Sequence, residues 1–414
     1  MELHDRLFGA TPAPGDDGRW AASGAMALTG WPDGPPLAAP ASLVPFLRAV
    51  RSAIATTSDR LGRSVDLDTA ALLGERAAIA GLARQGRRSC GGATELVRCG
   101  DGGWIAASLA RPDDVELLPA WLGGTELAAG VAHRRADDVV AAGIELGIPC
   151  ARLGEVGTSH PAFTATALVA GPPRPRLADA LVVDLSSLWA GPLCGHVLTL
   201  AGAGSVVKVE STTRPDGARR GPPAFFDLLH AGQRSVALDL RDRADVERLR
   251  TLLLAADIVI ESSRPRALAQ LGIDAAATAA AAGAVWVSIT GHGRHAEGAS
   301  RVAFGDDAAV AGGLVAGPPD DPVCCADAVA DPLTGLVAAA TALDRFGAGG
   351  AWLVDVAMAR VAAWCARDAP PTGPCAGPVA DPRARPPSGQ AAPLGRDTAA
   401  VFAALRAEHQ VTGM

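Results

Sequence analysis

The sequence predicts an α/β protein: a doubly wound, Rossmann-like parallel sheet with a smaller α+β domain beside it. Three observations carry this expectation. Short apolar runs rich in Val and Ile recur between residues 178 and 356, each closed by turn formers. The stretches between them have helical periods rather than hairpin turns, as connections between parallel strands require. An earlier block, residues 65–160, instead combines a helical period with a single Gly-rich hairpin signal, the pattern of a separate small unit.

Taken in chain order, residues 65–88 read as helix, and residues 94–109 (TELVRCGDGGWIAASL) read as a hairpin turning at Gly100-Asp101-Gly102-Gly103. Residues 161–177 have the proline content of a linker. Strands of the large domain are expected at 178–185, 205–210, 235–240, 257–261, 285–290 and 351–356. Helices are expected at 192–200, 244–254, 266–271 and 332–346, the last opened by Asp331-Pro332 and closed before Gly347. Proline returns at 370–393. The boundaries that follow are a partial repeat at 1–64, a small domain at 65–160, a linker at 161–177, a large domain at 178–368, and a proline-rich linker with a C-terminal segment at 369–414.

The partial repeat is an internal echo. Residues 22–62 run alongside 308–347, with Gly30-Trp31-Pro32-Asp33 over Gly317-Pro318-Pro319-Asp320 and an Asp-Arg-x-Gly ending on both. In this register Val44-Pro45 falls opposite Asp331-Pro332, so the first copy lacks the carboxylate.

Composition narrows the function classes. The 414 residues are 49% hydrophobic and 20% charged, which fits a folded chain and not a disordered one. The formal charge is -7, and Lys208 is the only lysine, so no basic field exists to follow a nucleic-acid backbone. Tyrosine is absent, which leaves carboxylates, histidines, cysteines and hydroxyls for catalysis. The first ten residues are charged at Glu2, Asp5 and Arg6, unlike a signal peptide, and no apolar run is long enough to span a bilayer. The expectation is a cytoplasmic protein with no membrane partner. The eight cysteines have no C-x-x-C spacing and read as free thiols.

Dinucleotide, P-loop and nucleophile-elbow motifs are all absent. His292-x-x-His295 is the one short pair with ligand-like spacing, but it has no third ligand, and no metal site is expected. Gly191-Pro192 makes a strand-to-helix corner whose free N–H groups suit an anion.

Residues 181–210 (LVVDLSSLWAGPLCGHVLTLAGAGSVVKVE) go further, because the string resembles the opening of the family III CoA-transferases. The similarity continues in order through Gln233 to Leu240, through 258–272 (IVIESSRPRALAQLG) and through Val287-Ser288-Ile289-Thr290-Gly291. It then reaches Gly305-Asp306-Asp307 and Ala330-Asp331-Pro332-Leu333-Thr334-Gly335, which resembles the motif holding that family's catalytic aspartate. Residues 72–118, with Glu75-Arg76-Ala77-Ala78 and Ser89-Cys90-Gly91-Gly92, resemble the family's small domain, which in the family follows the aspartate motif. Leu394 to Thr398 resembles its last segment. The chain thus reads as one family unit in permuted order.

On local sequence alone, Asp331 before a proline and an alanine-rich helix is a helix cap. The resemblance instead implies a nucleophile: Asp331 attacks acyl-CoA to give an aspartyl-acyl anhydride, CoA returns to form an aspartyl-CoA thioester, and an incoming carboxylate takes the CoA. A helix N-terminus is expected to keep Asp331 ionised. Backbone N–H groups of Gly91 and Gly92 are candidates to meet the oxyanion, if they are not simply loop glycines. Trp189, Ala190, Lys208, Arg234, Ser262 and Arg264 stand at the matching positions for CoA, with ordinary surface charge as the other reading of the basic ones. Coenzyme A is thus a substrate moiety, with no tightly bound cofactor. The implied partners are acyl-CoA, a small organic acid and a second copy in a homodimer.

Two departures bear on substrate. Trp189 replaces the glutamine, and Ser262 the asparagine, of formyl-CoA transferase, which argues against oxalate or formate. Asp306 replaces the histidine of the related 2-methylacyl-CoA racemases, whose α-proton transfer needs an acid and a base on opposite faces. The alternatives to a transferase are therefore a racemase using Asp306 and a catalytically silent CoA-binding subunit.

Overall fold

The computed structural model describes residues 2–368 and 378–412. Twelve strands are described, and seven form the central sheet. A three-stranded antiparallel sheet comes first, of β1 (Thr94–Arg98), β2 (Trp104–Ser108) and β3 (Cys150–Arg152). The central strands are β4 (Phe163–Val169), β5 (Leu181–Asp184), β6 (Ser205–Ser211), β7 (Arg234–Leu238), β8 (Ile258–Glu261), β9 (Val285–Thr290) and β12 (Ala351–Ala357). Between β9 and β12 lies a two-residue ladder, β10 (Val315–Ala316) with β11 (Val323–Cys324).

The central order is β4-β12-β9-β8-β5-β6-β7, parallel throughout except for β4. From β7 to β12 this is the doubly wound order 3-2-1-4-5-6, with its switch point between β5 and β8. Both faces are covered, which is why these strands read as near-continuous apolar runs. Val182, Ile258, Ile260 and Val287 pack in the core that holds the helices Leu43–Arg60, Ala190–Leu200 and Ala330–Ala348. Val183, Val207, Val259 and Trp286 lie in the opposite core with Arg243–Leu254 and Thr398–Thr412.

All six expected strands are present, with ends moved by a few residues. Three expectations are corrected. The block 65–88 is not one helix: only Ala71–Gly74 (a 3-10 turn) and Glu75–Ala80 are helical, the latter ended by left-handed Gly81. The expected linker 161–177 supplies β4, paired antiparallel with β12. Of the proline-rich stretch, residues 369–377 lie outside the described residues, while the remainder is a packed strap. Along it Ala380 N donates to Ala21 O, Arg385 pairs with Glu75, and Asp397 and Thr398 accept hydrogen bonds from Ser235 N and Ala237 N, covering the exposed side of β7.

The expected repeat at 1–64 is no separate unit, since Leu3, Phe46 and Ile54 share the large core. Its helix Leu43–Arg60 packs against Ala330–Ala348, and each begins one residue before its Val44 or Asp331. The small sheet has its own core of Val97, Ile105, Trp121 and Val139. It docks on the large core through the helix Gly305–Ala311, where Ser108 Oγ donates to Asp307 Oδ1 at 2.6 Å and Leu96 and Trp104 cluster with Val310. No helix among the described residues is long and apolar enough to cross a membrane.

Candidate active site

The helix Ala330–Ala348 starts two residues earlier than the expected 332, so Asp331 lies inside its first turn and caps nothing. The backbone leading to it is strained: Ala326 and Ala328 have φ of 55° and 44°, a left-handed conformation costing about 1–3 kcal/mol each outside glycine. Three contacts hold it. Ala326 N donates to Thr29 Oγ1 at 2.9 Å, Ala328 N donates to Asp306 Oδ1 at 3.0 Å, and Arg76 clamps Asp327 through Nε (2.8 Å to Oδ2) and Nη2 (2.5 Å to Oδ1).

Four aspartates therefore converge: Asp306, Asp307, Asp327 and Asp331. Burial pushes Asp331 up to about 7, against the lowering influence of Arg76 and with help from Asp306, Asp307 and Asp327. Asp306 is raised to about 6 and Asp307 to about 7, burial leading in both. The expectation that the helix N-terminus would keep Asp331 ionised is thus overturned. A helix end carries about half a unit charge, too little to offset burial and three neighbouring carboxylates.

Gly305 lies directly beside this carboxylate. A Cβ there would press into Asp331 Oδ2 and stand 2.5 Å from Ala328 O. We expect G305A to displace Asp331 and slow any reaction at it by roughly 10²-fold with the fold retained. Circular dichroism together with the rate of covalent labelling of Asp331 checks this.

The second wall comes from the switch point. Beyond β5, Ser187 N donates to Ser262 Oγ at 3.2 Å, and Leu188 takes a left-handed φ of 71° with its N–H given to Asp216 Oδ1 at 3.0 Å. Trp189 then opens the helix Ala190–Leu200, buried edge-on to Phe225 with ring centroids 5.3 Å apart. This helix meets the aspartate helix closely, because a Cβ on Gly335 would stand 2.5 Å from Ala190 O. Trp189, Ala190, Ser262 and Asp331 are thereby gathered at one end of the sheet.

Lys208 does not join them as a surface cation. It is 2% exposed, and its Nζ donates to Ser186 O, pairs with Asp216 Oδ2 at 3.0 Å and lies 3.7 Å from Asp184 Oδ2. Burial opposes its charge, but Asp184 and Asp216 outweigh that and raise its pKa. Its role in this geometry is to tie down the loop before Trp189, not to face a ligand. Arg234 is likewise elsewhere: it opens the outermost strand β7, exposed, with its charge near Asp397 of the strap.

Arg264 stands beyond β8 as the cap residue of the helix Pro265–Gln270. Burial, then the neighbouring charges of Arg266, Arg111 and Arg214, push it below its ordinary value. Arg214, Arg264 and Arg266 form no ion pair among the described residues, so positive charge from the loops after β6 and β8 is left uncompensated there. The Gly91-Gly92 loop lies against the guanidinium of Arg76, whose Nη2 is 3.3 Å from where a Gly91 Cβ would be. Gly92 N donates to Ser89 O at 2.8 Å, which closes the turn and uses up one of the two expected donors. His292 is buried and His295 exposed, and among the described residues no three metal-binding side chains gather as a site.

Sequence reasoning assigned no role to Arg76, Asp327, Asp307, Arg111, Arg214 or Arg266. The Glu75-Arg76 and Gly305-Asp306-Asp307 strings carried a signal for two of them, Arg76 and Asp307. The remainder come from loops whose meeting depends on the fold.

The doubly wound sheet, with its order 3-2-1-4-5-6 and a carboxylate cluster beside it, defines the class: an α/β protein of the Rossmann-like kind. The chain belongs to CoA-transferase family III, whose family model matches residues 177–406. It is 28% identical over 202 residues to the succinyl-CoA–D-citramalate CoA-transferase of Chloroflexus aurantiacus, covering 45% of this chain and 50% of that one. It is 29% identical over 189 residues to the mouse succinyl-CoA:glutarate CoA-transferase, covering 42% and 43%. Among solved structures, a CAIB/BAIF family protein from Brucella suis matches with a TM-score of 0.41 and 30% identity, covering 45% of this chain and 54% of the other. The chain thus spans half or less of the length of these curated relatives.

Proposed function

We propose that the protein is a CoA-transferase moving CoA between an acyl-CoA and a small carboxylic acid, with Asp331 as nucleophile. One observation supports the reading: the helix that carries Asp331 in its first turn packs against the Trp189–Ala190 corner, where a Cβ on Gly335 would stand 2.5 Å from Ala190 O, and Arg264 beyond β8, without an ion-pair partner among the described residues, would be free to receive CoA phosphates. Related enzymes named for succinyl-CoA and dicarboxylic acids support an acid acceptor. An Asp331 oxygen adds to the thioester carbonyl, and the C–S bond breaks to release CoA thiolate and leave an aspartyl-acyl anhydride. The thiolate then attacks the aspartyl carbonyl, releasing the acyl carboxylate. The incoming carboxylate attacks the aspartyl thioester carbonyl, the C–S bond breaks to expel CoA thiolate and leave a second anhydride, and the thiolate then attacks the new acyl carbon, freeing the Asp331 carboxylate. The permuted order is compatible with this chemistry because the chain folds its own small unit, through Arg76 and Gly91, onto the aspartate. A homodimer in the cytoplasm completes the proposal, and sedimentation tests the first part of it.

The ionised aspartate is the reactive form, and its pKa is raised to about 7. Labelling of Asp331 as a hydroxamate, by acyl-CoA with saturating free-base hydroxylamine, should therefore rise between pH 6 and 8 and level off above. An unmodified Asp331 with succinyl-, glutaryl- and acetyl-CoA alike would sink the reading. A second reading has its own observation: Asp306 and Asp331 meet in one cluster with values raised to about 6 and about 7, so that near neutrality one can serve as base while the other serves as acid in an α-proton exchange. Deuterium uptake from solvent into 2-methylacyl-CoA, without acceptor acid or hydroxamate, would favour that racemase.

A further inference from the structure

Arg76 is the hub of the cleft. It lies in the first turn of the short helix Glu75–Ala80, whose Glu75 is itself gripped by the strap residue Arg385 through Nε at 2.5 Å and Nη2 at 3.1 Å. Two of its three guanidinium nitrogens are spent on Asp327, which is wholly buried. The third, Nη1, makes no hydrogen bond among the described residues and stands 3.7 Å from where a Gly91 Cβ would be. The side chain remains 30% exposed, and its guanidinium carbon is 5.6 Å from the centroid of the Trp189 ring. Its charge acts on both Asp306 and Asp331 and is the leading cationic influence on each.

A clamp serving only the Asp327 loop would have no need of a free edge turned to the Gly91 side. The bidentate pair instead fixes the guanidinium plane, so that the two N–H groups of Nη1 are held in set directions without being consumed. Donors fixed before reaction, at the point where charge appears, stabilise a transition state more than mobile ones. Gly92 N–H is already engaged, which leaves the Gly91 N–H and Arg76 on this side of the aspartate.

We propose that Arg76 is a catalytic residue whose Nη1–H receives the acyl oxygen as negative charge develops on it. This rests on the transferase reading above. As an Asp331 oxygen bonds to the acyl carbon, the carbonyl π pair moves onto that oxygen beside Nη1. On collapse the pair returns, the C–S bond breaks and the charge leaves as CoA thiolate. No proton moves, so Arg76 remains a cation throughout.

The test is the single-turnover rate of hydroxamate formation on Asp331, against acyl-CoA concentration and pH, in wild type, R76M, R76K, R76A and D327N. R76M should lower the limiting rate by about 10²–10³-fold with a much smaller change in half-saturation. Its acid limb should move to higher pH, because the cation favouring ionised Asp331 is gone. R76K should fall between, ethylguanidinium should restore part of the R76A rate, and D327N should lose less than R76M. Equal losses in D327N and R76M without chemical rescue, or R76M labelled at the wild-type rate, would overturn the role of Arg76 while leaving the transferase intact. Wild type that is never labelled would overturn the transferase reading and this role with it. Should R76M fail to fold, R76K labelled at the wild-type rate with an unmoved acid limb would refute the proposal equally.

Discussion

D331N is expected to abolish covalent labelling and to lower CoA transfer by at least about 10⁴-fold, the scale seen when a nucleophile is removed. The amide keeps the size of the side chain and its place in the first helical turn, so a lost structure is not the cause. The same variant should be more stable than wild type. Burial and three neighbouring carboxylates raise Asp331 to about 7, well above the value of an unfolded aspartate. The folded state therefore holds a proton that the unfolded chain releases, and stability falls as pH rises from about 4 to about 7. D331N removes that penalty. Thermal melts at pH 5 and pH 8 should show a larger gain at pH 8, and a variant less stable than wild type at both would contradict this account of the cluster.

The second large effect concerns Lys208. K208M leaves Asp184 and Asp216 buried without their cation, and breaking a buried pair in this way costs about 3–5 kcal/mol. The sign of the pH dependence is specific. Lys208 has a raised pKa, so its own contribution is complete below about 10.5 and lost only as pH climbs past the folded value. For Asp216, burial opposes ionisation, but Lys208 and the N–H groups of Ala218 and Leu188 hold its pKa low. That stabilisation is present above about 4 and fades on acidification. Without the lysine the Asp216 carboxyl can be protonated as pH falls, so the gap between K208M and wild type should narrow towards pH 4. Denaturant melts at pH 7.5 and pH 4.5 measure it. Because Lys208 also holds the Ser186 carbonyl, K208M should bind CoA more weakly, although the lysine never touches it.

The contrast between Asp331 and Lys208 says what a sequence can carry. Asp331 was legible because a local string, Ala330 to Gly335, bore a resemblance that survives without knowledge of the fold. Lys208 looked available because a strand end often presents its charges. In fact β6 lies inside the sheet, and Lys208 sits on its buried face between Val207 and Val209, which point to the opposite core. Similarly, the runs of Val and Ile marked β5, β8 and β9 because those strands are covered on both sides. Strand β4 was missed because its Thr-Ala alternation beside a proline-rich stretch is what an edge strand tolerates and a linker also shows. Arg76 was invisible as a functional group for a different reason: its partner Asp327 lies far along the chain, and only the docking of the two units brings them together. The rise of Asp331 to about 7 was hidden for the same reason, since the burial that leads it and the added charges of Asp306 and Asp307 on another helix both come from the fold.

Trp189 has an optical consequence. The chain has no tyrosine and eight tryptophans, so all of its useful ultraviolet emission comes from indole. One of those indoles forms a wall of the cleft, with the Arg76 guanidinium close to its ring and Phe225 against it. On the proposed function, an acyl-CoA oxygen received by Arg76 would change the field at that buried ring. The protein thus contains its own dye at the position where occupancy matters, and W189F provides the blank.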